Sequence, residues 1–79
     1  MLNREKYDKV FVDTFLVKEN ELGDALVYNT IPAWDSIGHM SMVAALEDAF
    51  SITMETDDIV NFSSYKKGFE ILSKYGVTF

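Results

Sequence analysis

Residues 34–52, Trp34-Asp35-Ser36-Ile37-Gly38-His39-Met40-Ser41-Met42-Val43-Ala44-Ala45-Leu46-Glu47-Asp48-Ala49-Phe50-Ser51-Ile52, decide the fold. Within them Ile37, Met40, Val43, Leu46 or Glu47, and Phe50 recur at the three-to-four-residue spacing that keeps side chains on one side of a helix. Asp35 or Ser36 stands where a short oxygen-bearing side chain satisfies the free backbone amides of a first turn. The strongest helix of the chain is therefore predicted from about Ser36 to Phe50, with a serine and an acid at its start.

Upstream, the periodicity lapses from Lys18 to Ala33, and Gly23 and Pro32 punctuate the stretch. Ala25 to Ile31 reads as a short strand or an extended loop, and the lack of a visible partner strand favours the loop. Loops of this length in a small domain carry function or their own packing, which draws attention to the loop's end just before Ser36. Earlier still, Tyr7, Val10, Phe11 and Phe15 mark one face of a helix over Asn3 to Val17, with Asn3 as its cap.

Downstream, a single turn or two of helix is predicted around Thr56 to Asn61. Asp57 and Asp58 suit its amino end, and Ile59, Val60 and Phe62 give it a small apolar face. A last helix over Ser64 to Tyr75 has Tyr65, Phe69, Leu72 and Tyr75 as its stripe. Lys74 lies near its negative end and Gly76 is placed for a left-handed terminus. Gly68 inside it costs about 1 kcal/mol relative to Ala. The predicted fold is all-α: one domain over residues 1–79, a small four-helix bundle with three main helices, one short helix and a long first loop.

Composition agrees. A chain of 79 residues that is 48% hydrophobic and 25% charged fits one small soluble domain, and without cysteine it must be held by packing alone, with no disulfide or thiolate metal site. No apolar run approaches the roughly 18 to 20 residues of a membrane-spanning helix, so membrane insertion is not expected. The amino terminus is charged at once and lacks the apolar stretch of a signal peptide, so a cytoplasmic protein is expected.

The formal charge is −6, and its distribution says more than its total. Between Lys18 and Lys66 the chain carries Glu19, Glu21, Asp24, Asp35, Glu47, Asp48, Glu55, Asp57 and Asp58 and no Lys or Arg. Phosphate backbones are gripped by Lys and Arg, so nucleic acid is not an expected ligand. A basic protein surface is, beside the simpler role of charge in solubility.

Ser36, Asp35 and His39 invite comparison with a hydrolase. Residues 35 and 36 point in different directions on a helix, no G-x-S-x-G elbow surrounds the serine, and a bundle of this size offers little enclosed surface. His39 is the only histidine, without zinc-ligand spacing, and is expected to be a partly exposed imidazole. Glu55, Asp57 and Asp58 lack the turn glycine and closing glutamate of a calcium loop. Met40, Met42 and Met54 suit core packing, with a cargo cavity as the alternative, and Trp34 anchors the loop or meets a partner, anchoring being the default.

The motif Asp35-Ser36-Ile37, followed by Leu46 through Ile52 as a variant of Leu-Glu-x-x-Phe-Gly-Ile, resembles the acyl carrier protein family, with helix order and lengths similar over essentially the whole chain. The resemblance implies that Ser36 receives 4'-phosphopantetheine from coenzyme A through a phosphopantetheinyl transferase, with magnesium needed for that transferase only. The arm's thiol would hold an acyl or aminoacyl group as a thioester, and the chain itself would catalyse nothing.

By the same resemblance Asp35, Ile37, Met40, Glu47 and Asp48 would meet partners: the transferase, a loading enzyme, and a downstream transferase or synthase with basic docking patches. A monomer is expected. Gly38, His39 and Ser41 stand where fatty-acid-synthesis carriers usually show more acid, which favours a specialised free-standing carrier, and the Gly-Gly-x-Ser pattern of peptidyl carriers is absent. The alternative is a non-catalytic interaction module of the same fold that is never phosphopantetheinylated.

Overall fold

A computed structural model describes residues 2–79. The predicted bundle is observed. Helix α1 spans Asn3–Phe15, α2 Ser36–Phe50, α3 Thr56–Asn61 and α4 Tyr65–Ser73, and a single 3₁₀ turn, Glu19–Glu21, interrupts the first loop. None of these helices is long and apolar enough to cross a membrane.

Helix α1 is shorter than its hydrophobic pattern suggests. It stops where Leu16 turns left-handed at φ 56°, a conformation strained for a branched residue, and Val17 then enters the core from the loop. Asn3 is not its cap: the backbone N–H of Leu2 is satisfied by the Glu5 carboxylate at 2.9 Å, while the Asn3 amide donates to the Thr78 carbonyl at 2.9 Å. Tyr7, Phe11 and Phe15 are buried as predicted, and Val10 is half-buried beside them.

Helix α2 has the predicted bounds, with Asp35 as the cap, its Oδ1 accepting from the Gly38 N–H at 2.9 Å. Its buried face matches the predicted stripe at Val43 and Leu46 and departs from it at the amino end. Met42, Val43 and Leu46 are buried, whereas Ile37 is 80% and Met40 52% exposed. The helix ends in a Schellman arrangement, Ser51 at φ 54° and the Ile52 N–H bonded to the Glu47 carbonyl.

The first loop is held by one antiparallel bridge, Val27 with Ser64, flanked by Tyr28 N–H to Ser63 O and Tyr65 N–H to Leu26 O. Extended backbone at 26–28 thus finds a partner in the linker before α4, a pairing too distant in sequence to be read locally. Helix α4 begins one residue later than predicted because Ser64 caps it, accepting from the Lys67 N–H at 2.9 Å. Its end is tightened by Gly76 at φ 84°.

Gly68 does more than lower helix propensity. A Cβ there would overlap the Tyr7 hydroxyl and the Phe62 ring, so the glycine lets α4 approach both, and the Tyr7 hydroxyl donates to the Tyr65 carbonyl at 2.6 Å in the space left. Gly68→Ala is expected to destabilise by about 2 to 3 kcal/mol, overpacking outweighing the better helix former, as measured by denaturant unfolding. Burial pushes the Tyr7 hydroxyl's pKa up, and burial together with the hydrogen bond to Asp8 pushes that of Tyr65 up to about 12.

Asp57 and Asp58 were expected to serve the amino end of α3. Both lie in its first turn, and Asp58 is in addition buried between α3 and α4, accepting from Lys74 Nζ and the Tyr75 hydroxyl, both at 2.5 Å. The Tyr75 oxygen in turn accepts the Glu55 N–H at 2.9 Å, so one cluster ties the start of α3 to the end of α4. These bonds, Lys74 first, hold the Asp58 carboxyl below its ordinary pKa. A depressed folded value contributes stability above the unfolded value of about 3.9 and loses it as pH falls through the folded one. Asp58→Asn should therefore lower the melting temperature at neutral pH and flatten its decline in acid, read by thermal melts from pH about 7 down to about 2.

Candidate functional site

Ser36 is the first residue of α2, and its side chain is exposed at the junction of the first loop, α2 and α3. Its Oγ lies 3.1 Å from the Tyr28 hydroxyl. Tyr28 reaches it because the bridge to Ser63 and Ser64 fixes the loop backbone there, a contact across eight residues that periodicity does not show. Asp35 is exposed and occupied as the cap of the same helix.

The loop arrives at Ser36 over Trp34. The indole is completely buried, stacked on Phe15 at 4.9 Å between centroids and edge-on to Phe11 at 5.6 Å, so anchoring is what this residue does. Its Nε1–H donates to His39 Nδ1 at 2.9 Å, and His39 Nε2 lies 2.8 Å from the Ile59 carbonyl. Indole only donates and a carbonyl only accepts, so these two bonds assign the imidazole proton to Nε2. His39 is thus half-buried and committed on both nitrogens, linking loop, α2 and α3, and it makes no hydrogen bond to Ser36.

Gly38 explains itself in the same turn. A Cβ at this position would overlap the Ala33 carbonyl, so the glycine allows the loop to pass against the first turn of α2 immediately before Ser36.

Beside Ser36 lies an open, mostly apolar groove of about 350 Å³, bordered by Tyr28, His39, Met40, Val60 and Phe62. Met40 and Val60 are exposed apolar residues of its lining and Ile37, next to Ser36 in the chain, is exposed as well, Val60 being 73% exposed where sequence pattern placed it on a packing face. Of the two acids expected to meet partners from the middle of α2, Asp48 is exposed. Glu47 is half-buried and its carboxylate accepts the Met54 N–H at 2.8 Å, fixing the chain after α2.

The four ion pairs among the described residues are Arg4 with Asp8, Lys9 with Asp13, Lys67 with Glu70 and Lys74 with Asp58. None involves Asp35, Asp48, Glu55 or Asp57, so Asp35 beside Ser36 and Asp48 in the last turn of α2 have no ion-pair partner among the described residues. The sequence resemblance singled out Asp35, Ser36 and Ile37, and the structure brings them together with Met40. It adds Tyr28, Val60 and the Trp34–His39 pair. Comparison of the chain with protein-family models, curated proteins and solved structures gives no match.

Proposed function

We propose that this chain is a carrier protein that holds an acyl or aminoacyl group as a thioester on a 4'-phosphopantetheine arm attached to Ser36 and presents it to partner enzymes. The observation that carries the reading is the placement of Ser36: an exposed hydroxyl at the start of α2, within the Asp35-Ser36-Ile37 motif.

The residues present fit such a group. A modifying enzyme can reach the Ser36 oxygen from solvent, and a phosphodiester there would lie near the unpaired amides and positive end of α2, with Asp35 opposing by like charge. The Tyr28 hydroxyl is the neighbouring donor. When bound, the arm supplies the thiol that a chain without cysteine cannot. The chain's own part is to expose one hydroxyl, hold its surroundings rigid through Trp34, Gly38 and His39, and offer a docking face.

That face combines apolar Ile37, Met40 and Val60 with acids free of internal pairing, which suits partners with basic patches around an apolar contact. The partners proposed are a phosphopantetheinyl transferase using magnesium, a loading enzyme and a downstream transferase or synthase. Their association is expected to weaken by about an order of magnitude between low and high salt, because screening shortens the reach of exposed charge to about 8 Å at physiological ionic strength. Titrations against the transferase at several salt concentrations check this, and salt-independent binding would place the affinity in Ile37 and Met40.

The carrier reading is tested by incubating the chain with a fluorescently tagged coenzyme A, magnesium and a broad-specificity phosphopantetheinyl transferase. Covalent fluorescence on the folded protein is the expected result. A folded protein that stays dark while a known carrier is labelled in the same mixture would favour an interaction module.

A further inference from the structure

We infer that His39 is a latch that closes the crevice between α2 and α3 to a long chain, so that the cargo is a short or polar acyl group carried at the surface. This rests on the carrier reading of Ser36. The groove beside Ser36 is bounded inward by two groups, and each is held in place independently. His39 is bonded to Trp34 on one side and to the Ile59 carbonyl of α3 on the other, so its ring spans the gap between the helices.

Phe62 is fully buried behind it, with its ring so close to Gly68 that not even a methyl group fits between them, and with Phe11 stacked at 6.3 Å. It cannot swing backward to deepen the groove. Met42 and Leu46, on the same helix as His39, are also fully buried.

A hydrocarbon entering between α2 and α3 would have to break the part-buried His39 to Ile59 bond or displace the braced Phe62. The groove is open, so a chain lying along Met40 and Val60 keeps one side in water. A long alkyl group would therefore stay in water, at a cost that grows with each methylene, whereas a short or polar group needs no burial.

The test uses a broad-specificity phosphopantetheinyl transferase with magnesium to move the acyl-phosphopantetheine of acetyl-coenzyme A or tetradecanoyl-coenzyme A onto the Ser36 oxygen, with adenosine 3',5'-bisphosphate leaving, confirms each addition by mass, and reads methyl chemical shifts. Both cargoes are expected to perturb Met40 and Val60 at most and to leave the core methyls of Met42 and Leu46 unmoved. Core shifts with the tetradecanoyl group in the unsubstituted protein would overturn the inference. In His39→Ala the long chain should now shift Met42 and Leu46. His39→Gln, whose amide can accept from Trp34 and donate to Ile59, should restore exclusion, a rescue that a merely stabilising residue would not show. A folded His39→Ala protein with unmoved core methyls would remove the latch role, and should that variant fail to fold, the unsubstituted pair of cargoes decides. Absence of any addition on Ser36 would instead overturn the carrier reading, and the inference with it.

Discussion

Ser36→Ala is expected to abolish covalent loading completely while leaving the fold unchanged. The hydroxyl is the only atom removed, and its one side-chain contact is the exposed hydrogen bond to Tyr28, so unfolding free energy should move by no more than about 0.5 kcal/mol. Other hydroxyls cannot replace it on the carrier account. Ser63 borders the same groove, and Ser41 and Ser51 are exposed, yet none stands at the start of a long helix beside a capping acid and the apolar rim of Ile37 and Met40. Loading that persists in Ser36→Ala would locate the modified residue elsewhere. Loss of loading accompanied by loss of helical signal would mean that the variant reports on folding and not on the acceptor.

Trp34→Ala should be the most damaging substitution near the site. The indole is wholly buried, fills the junction of the loop with Phe11 and Phe15, and donates to His39. Truncating a buried Trp costs about 3 to 5 kcal/mol. A domain of 79 residues at about 0.05 to 0.15 kcal/mol per residue holds only about 4 to 12 kcal/mol in all. The melting temperature is expected to fall by roughly 15 to 30 °C, given about 4 to 8 °C per kcal/mol for a domain of this size. Trp34→Phe keeps an aromatic ring and loses the donor to His39, so it should fall between the two. A Trp34→Ala protein that melts within a few degrees of the parent would show that the loop is held by other contacts.

What was legible in the sequence follows the range of the interactions involved. The bounds of α2 could be read because a local pattern and a local cap, Asp35 on Gly38, agree within one turn. The buried stripe of α2 was read correctly at Val43 and Leu46 and wrongly at Ile37 and Met40, because periodicity alone does not tell a core residue from an exposed apolar one. The end of α1 depends on the strained turn at Leu16, which no glycine announces. Asp58 looked like a helix-start acid, and its partners Lys74 and Tyr75 lie too far along the chain for spacing rules to find.

The same holds at the site. Ser36, Asp35 and Ile37 were found because they are contiguous. Tyr28 was not, because the bridge between Val27 and Ser64 delivers it across a loop. His39 was expected to be a partly exposed imidazole, and its half-buried place is consistent with that, but its two bonds to Trp34 and Ile59 give it a connecting role. Gly68 was read through helix propensity and Gly38 as a missing acid, whereas both mark backbone approaches that a side chain would block.

The central claim is that Ser36 is the attachment point of a phosphopantetheine arm. Intact mass followed by peptide mapping, after incubation with coenzyme A, magnesium and a broad-specificity phosphopantetheinyl transferase, tests it most directly. A gain of one arm per chain is expected, located on the peptide that contains Ser36 and absent from Ser36→Ala. An unchanged mass in a folded sample, or an arm on a different residue, would contradict it.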